Sequence, residues 1–377
     1  MLFGRTDIDR IVLNEISLWS GGTQEADDPE AHKYLPEIQR LLLQRKNLEA
    51  QKLLEQHFVA RSKGSCNGRG ATCHYGCYQV LGELSLDWGS NSTVKNYRRI
   101  LDLEKAMATT TFERNGAQIE QRAFADFKYD LLWVKIRSNK PLGVKIALNR
   151  KENATTRYEG NRIVLNGILP DEDKEGMHFA SVIEVSADGT LQATPSALAV
   201  TNAKEIVLKI SAATNYNYLN GGLTKDDILK KAVSYIEKLP KDFERAYTES
   251  KTLYQELFNC NRWTSKPNAT TESLTTFERL ERFHKGEKDA LMPVLYYNFG
   301  RYLLICSSRK GLLPANLQGL WAEEYQTPWN GDYHLNINLQ MNYWLAEMAN
   351  LSQLTEPLHR FTKHLVPNGE KTAKAYY

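Results

Sequence analysis

His334, Asn336 and Asn338 stand at H-x-N-x-N spacing within DYHLNINLQMNYW, residues 332–344. In an extended backbone alternate side chains share a face. The spacing therefore predicts a row of three uncharged polar groups, with Leu335, Ile337 and Leu339 anchoring the opposite side. Amides and a neutral imidazole both donate and accept hydrogen bonds without carrying a fixed charge. Such a row can pair with a set of hydroxyls. A plainer reading stands beside it: Asn338 caps the helix that follows, and Asn336 satisfies loop amides. The neighbourhood favours the first reading, because Trp321, Tyr325, Trp329 and Tyr333 share the loop with Asn316 and Gln318. Aromatic planes stack on the apolar faces of sugar rings while amides pair with hydroxyls, so the chemistry is that of sugar recognition.

Cleaving a glycosidic bond normally takes two carboxyl groups, roughly 6.5–9.5 Å apart when a water must fit between them. The acids near the row are Glu323, Glu324, Asp332 and Glu347. Glu347 reads as the solvated flank of a helix. Asp332 falls by alternation on the face of His334, although a surface position is the commoner fate of a loop acid. Cys66, Cys73, His74 and Cys77 superficially resemble a zinc set, but C-x6-C-H-x2-C fits no standard knuckle. With Cys260 and Cys306 standing apart, no disulfide framework is implied. Triplets of the glycosylation pattern at Asn91, Asn153, Asn268 and Asn350 carry little weight. No phosphate-binding loop, dinucleotide fingerprint or nucleophile elbow is present in the sequence.

The elements that must position these groups change character along the chain. An amphipathic pattern at 34–58, with Leu35, Ile38, Leu42 and Leu53 on one side, predicts an early helical insertion. From about 78 to 214 the period is two: Leu84, Leu86 and Trp88 alternate with polar neighbours, and Asn115-Gly116 and Asp188-Gly189 mark turns. A large antiparallel β domain, most naturally a sandwich, is expected there. Thr224-Lys-Asp-Asp reads as a capping box before a first linker helix, and Pro240 separates that helix from a second. A polar connection at 261–273 then leads to an all-α region. There Leu291, Leu295, Phe299 and Tyr302 share one helix face, and Met341, Trp344, Leu345 and Met348 form a stripe expected to be buried.

The bulk properties agree with an ordinary globular protein. At 377 residues the chain is long enough for more than one domain. Its 48 basic and 45 acidic residues are interspersed and leave a formal charge of +3, so no basic stripe points to nucleic acid or anionic lipid. No stretch reaches the roughly 20 apolar residues of a membrane span, and MLFGRTDIDR does not read as a signal peptide.

Three motifs in order, IVLNEISLWSGG (11–22), LPANLQGLW (313–321) and DYHLNINLQMNYW (332–344), resemble glycoside hydrolase family 95, the inverting α-L-fucosidases that also include some α-L-galactosidases. YQVLGELSLDW, RYLLICSSRKGLLPANLQG and PNGEKTAKAYY extend the resemblance over nearly the whole chain. It implies an N-terminal antiparallel β super-sandwich over 1–218, a helical linker over 219–272 and, over 273–377, the first part of an (α/α)6 catalytic barrel. By motif position Asn336 and Asn338 would orient the attacking water with help from a distant carboxylate, and His334 would contact the sugar. Trp321 and Trp329 are the expected stacking residues. The resemblance implies no metal or organic cofactor and a fucosylated oligosaccharide or glycan as substrate, with release of terminal α-1,2-linked L-fucose. It also implies that the general acid and the aspartate partnering the asparagines lie outside this chain, which reads as a fragment at both ends. An incomplete barrel would expose apolar faces such as Met341, Trp344 and Met348. Family members are commonly exported, so a secreted or periplasmic full-length protein is expected. A non-catalytic glycan-binding protein and an α-L-galactosidase on the same scaffold are the alternatives.

Overall fold

The computed structural model describes residues 1–62, 64–90, 92–172, 174–240, 242–266 and 273–377. Asn91, the Asn268 triplet and the rest of the 267–272 part of the polar connection lie outside them.

The alternating segments form one antiparallel 11-stranded sheet. Its strands are β1 (Ile8–Leu13), β2 (Gly82–Asp87), β3 (Val94–Asp102), β4 (Met107–Arg114), β5 (Ala117–Ala125), β6 (Leu132–Asn149), β7 (Ala154–Glu159), β8 (Arg162–Asp171), β9 (Lys174–Ala187), β10 (Thr190–Ala193) and β11 (Leu198–Thr214). The order β3-β4-β5-β6-β11-β9-β8-β7 makes the main path, and the β1-β2 pair joins it through β6. Two long strands organise the domain by changing partners midway. The first part of β6 pairs with β5 through Leu132–Ser138, and its last residues, Lys145–Asn149, pair with β2. Likewise β11 meets β10 over Leu198–Thr201 and β9 over Ile206–Thr214, with register shifts between Val200 and Glu205. Irregularities of this kind bend a strand. Ile11, Leu84 and Leu86 thereby share one core with Val134, Ile136, Ile163 and Ile183.

Local chemistry explains the turns. Asn115 and Gly116 both have positive φ, 51° and 76°, and Arg114 pairs directly with Ala117, the geometry of a two-residue hairpin. Asp188-Gly189 does a different job, leading from β9 into β10, both of which pair with β11. The Asp188 carboxylate accepts from the backbone N–H groups of Lys204 and Glu205 at 2.8 and 2.9 Å, beside the β11 irregularity.

The early insertion divides into α1 (Leu35–Leu43) and α2 (Asn47–His57), broken where Arg45 takes φ 59°. Ile38, Leu41 and Ala50 are the buried residues and Leu42, already in α1 before the break, is exposed, contrary to the single stripe expected. After the sheet come α3 (Ile228–Glu237) and α4 (Phe243–Phe258). The cap of α3 is Asp227, which accepts from Lys230 N–H at 3.0 Å; Thr224 bonds Asp226 instead and makes no capping box. These two helices cover the outer face of the sheet, where Phe124, Trp133 and Val182 pack against Ile228, Ala232, Ile236 and Phe243. Full burial of each such side chain is worth about 1.5–3 kcal/mol.

Then follow α5 (Thr276–His284), α6 (Met292–Ser307), α7 (Asn338–Met348) and α8 (Glu356–Tyr376). The capping box of this region is Thr275 with Glu278, at the start of α5. On α7 the buried residues are Leu339, Tyr343 and Ala346, packed with Leu304, Ile305 and Leu354. The stripe expected to be core is turned outward: Met341, Trp344 and Met348 are exposed, and Leu345 is partly buried at its edge. Both triads satisfy helical spacing, so periodicity alone could not choose between them.

Candidate functional site

The loop entering α7 is built on unusual backbone. Trp329 (φ 49°), Asn330 (φ 57°) and Gly331 (φ 63°) are successively left-handed, a conformation that costs a non-glycine residue about 1–2 kcal/mol. Its surroundings hold it there. Asn330 is buried: its Oδ1 accepts from Gly70 N–H at 3.1 Å and Gln326 Nε2 at 2.8 Å, and its carbonyl accepts from Tyr78 N–H at 2.8 Å. Gly331 is required as well, since a Cβ there would sit 2.8 Å from Tyr78 Cβ. Strain held by many partners marks candidate functional sites.

Apart from Gln326, those partners come from the sheet domain, which holds the loop at further points. Ala71 N–H donates to Gln326 Oε1 at 2.9 Å, Tyr78 Oη to the Leu320 carbonyl at 2.7 Å, and Thr327 Oγ1 to the Tyr78 carbonyl at 2.8 Å. Asn14 Nδ2 reaches the Ala322 carbonyl at 2.9 Å, and Val80 N–H the Glu324 carbonyl at 3.2 Å. The cysteine-rich segment belongs to this clamp. Cys66 and Cys73 are joined in a disulfide, contrary to the expectation that none was implied. His74 bonds the Asp171 carboxylate and the Thr23 carbonyl, and Cys77 Sγ lies 3.1 Å from Thr327 Oγ1. The four therefore do not converge on one point, and burial pushes the Cys77 thiol up.

The row itself departs from the expected geometry. Residues 335–337 form a turn and α7 begins at Asn338, so the backbone from 334 to 338 is not extended and the alternation argument does not apply. Leu335 and Ile337 are exposed rather than anchoring; Leu339 alone of the three is buried. Nor is Asn338 the cap: that position is Ile337, and no side chain caps the helix. His334 instead closes the turn with its carbonyl, which accepts from Leu339 N–H at 3.1 Å. Among the described residues, neither the Asn336 nor the Asn338 side-chain amide is bonded by another protein group, and Asn336 is exposed. Both remain available to a ligand.

Asp332 is less of a surface acid than its loop position suggests. Its side chain is 19% exposed, Tyr75 Oη donates to Oδ2 at 3.1 Å, and His334 Nε2 lies 3.9 Å from the same oxygen. Burial raises its carboxyl above the usual range, while the Tyr75 hydroxyl, His334 and Asn330 pull it back. Glu347 is exposed and bonded by Ser352, as a solvated flank would be.

The aromatic residues divide. Trp329 is 74% exposed, as a stacking surface requires. Trp321 lines a cavity of about 650 Å³ between the sheet and α6, whose walls include Glu15, Phe299, Tyr302 and Arg309 but not His334, Asn336 or Asn338. Tyr333 is enclosed, stacked on Trp19 and bonded to the Pro314 carbonyl at 2.8 Å. Tyr325 accepts from Asn153 at 2.8 Å. These two tyrosines and the buried Asn316 pack the loop rather than line a surface. Tyr75 was not anticipated, because no linear spacing connects residue 75 with residue 332. The nearest signal is an aromatic residue inside a glycine-rich segment.

Comparison with known proteins agrees with this layout. Residues 1–218 match the family model for the glycosyl hydrolase family 65 N-terminal domain, and residues 242–377 match that for the glycosyl hydrolase family 95 catalytic domain. Alpha-L-fucosidase 2 of Arabidopsis thaliana is 30% identical over 100% of this chain and 47% of its own length. A probable alpha-fucosidase A of Aspergillus niger is 32% identical over 100% of this chain and 48% of its own. The chain thus spans about half the length of the curated relatives it matches. Among solved structures, a bacterial glucoamylase complexed with acarbose aligns with 77% of this chain and 46% of its own at 12% identity and a TM-score of 0.39, a likeness too remote to build on. With catalytic-domain sequence matched across the segment that carries Asn336 and Asn338, residues 242–377 belong to the glycoside hydrolase family 95 catalytic domain, behind an N-terminal domain of the glycosyl hydrolase family 65 type over residues 1–218.

Proposed function

We propose that the protein hydrolyses terminal α-1,2-linked L-fucose from oligosaccharides or glycoconjugates with inversion at the anomeric carbon. In this reading 1–218 is the β super-sandwich, 219–272 the linker and 273–377 the first part of an (α/α)6 barrel. Asn336 and Asn338 orient the attacking water, His334 contacts the sugar, and Trp329 and Trp321 offer aromatic faces. One observation carries the reading: two neutral amides, bonded by no other protein group among the described residues, stand at the entry to α7, just beyond a loop that the sheet domain clamps in a strained conformation. Rigid placement of a nucleophile supplies several kcal/mol of barrier reduction. An amide has little basicity of its own, so a carboxylate must polarise the pair, and a protonated acid must serve the leaving oxygen. Glu347 and Asp332 are engaged by Ser352 and Tyr75, and both catalytic carboxyls are assigned to sequence outside these 377 residues.

The test follows α-1,2-fucosylated lactose by proton NMR with the full-length protein and with the 377-residue chain alone. The full-length protein is expected to release the β anomer of fucose first, and the chain alone none. An α anomer appearing first would overturn inversion. Turnover by the chain alone would place the missing carboxyls within it.

A further inference from the structure

Tyr75 belongs to the sheet domain, more than 250 residues before the loop that carries Asn336 and Asn338, yet its hydroxyl reaches that loop at Asp332. Both flanks of Tyr75 are fixed. On one side the Cys66–Cys73 disulfide closes the segment and His74 is bonded to Asp171 and Thr23. On the other, Gly76 (φ 91°) passes so close to Ser20 that a Cβ would sit 2.2 Å from its carbonyl oxygen, and Cys77 meets Thr327 at 3.1 Å. The tyrosine held between these anchors is nevertheless 41% exposed. A residue placed this firmly for core packing would be buried; here the fixed feature is the hydroxyl, aimed at a half-buried carboxylate within reach of His334.

We propose that Tyr75 is a positioning residue for the sugar site, supplied by the sheet domain, which holds Asp332 so that the carboxylate orients His334 toward the substrate. The inference rests on the fucosidase reading above. Asp332 Oδ2 and His334 Nε2 are 3.9 Å apart, longer than a hydrogen bond, so the carboxylate acts on the ring through its charge; a hydrogen bond to an ionised acceptor, such as the one Tyr75 donates, is about twice as strong as one between neutral groups. The groups facing Asp332 are Tyr75, His334, the Asn330 amide and the Cys77 thiol. Of these Tyr75 contributes the direct hydroxyl donor and favours the ionised carboxylate against burial.

Tyr75→Phe in the full-length protein keeps the ring and removes only the hydroxyl. The expected result is a KM for the fucosylated substrate raised about tenfold with kcat little changed, the loss of one hydrogen bond to a charged group. The acid limb of kcat/KM should move to higher pH. Asp332→Asn should raise KM similarly, and Tyr75→Phe combined with Asp332→Asn should add little to either. A KM and acid limb equal to wild type in Tyr75→Phe, or losses that multiply in the double variant, would overturn the inference. The NMR signals of the His334 ring give a second measurement that needs no turnover: they should move in Tyr75→Phe, and ring signals identical to wild type would overturn the inference even in a protein without fucosidase activity. Absence of fucose release by the wild-type protein, with the ring signals moving, would sink the fucosidase reading and leave the contact standing.

Discussion

At the residue scale, the types that do chemistry were legible in the sequence and their geometry was not. H-x-N-x-N names three neutral polar side chains wherever the backbone goes, but of the aromatic neighbours that suggested sugar recognition only Trp329 is an open face beside them, Trp321 lining a separate cavity and Tyr325 and Tyr333 packing the loop. The assumption of an extended backbone failed because His334 closes a turn and Asn338 already belongs to α7. Under the reading proposed, replacing both Asn336 and Asn338 by Ala in the full-length protein should lower kcat at least about 100-fold, since the lost interactions position the attacking water rather than bind the sugar. KM should change far less. Steady-state release of fucose checks this, and a kcat near wild type would remove the amides from the mechanism. Among the described residues no other protein group bonds either amide, so the melting temperature should hold while the rate collapses.

At the scale of elements, what could be read depended on how local the cause was. Asn115-Gly116 specifies its hairpin through two backbone conformations and needs no distant partner. The outward stripe on α7 and the break between α1 and α2 depend on what the helix packs against, which periodicity does not report. The cysteine segment was least legible of all, because its role is to hold a loop far along the chain. That clamp makes Gly331 a sensitive position. In Gly331→Ala the new methyl meets Tyr78 Cβ at 2.8 Å, and the φ of 63° is itself unfavourable for alanine. A loss of about 2 kcal/mol or more is expected. Equilibrium unfolding in urea measures it; a variant as stable as wild type would show that the loop is not pinned to Tyr78. Activity should fall with stability, as the same movement shifts Asp332.

At the scale of the whole molecule, the order of a sheet domain followed by helices was legible from the change of period, whereas the seam joining them was not, because its contacts cross long stretches of sequence. Arg309, just after α6, bonds Asp130 and the Asp126 and Phe127 carbonyls and lies over the Phe127 ring, tying the helices to the turn before β6. Across the cavity stands Glu15, accepting from Ser17 N–H at 2.8 Å and from Tyr218 Oη at 2.8 Å, with its pKa raised by burial despite those bonds. A carboxyl whose folded pKa lies above its unfolded value binds more protons in the folded state. Stability is therefore lost as pH rises from the ordinary glutamate range through the folded pKa, and the penalty stays constant above it. Glu15→Gln keeps the side-chain shape and removes the charge, so it removes the penalty only where wild type would have to ionise. The difference in melting temperature, variant minus wild type, should be small near pH 4, where the carboxyl is protonated in the folded protein, and should grow in favour of the variant toward pH 8. An offset independent of pH would mean that Glu15 titrates alike in both states. An offset growing in the opposite direction would mean that the folded protein stabilises the charged form, the Ser17 and Tyr218 donors outweighing burial.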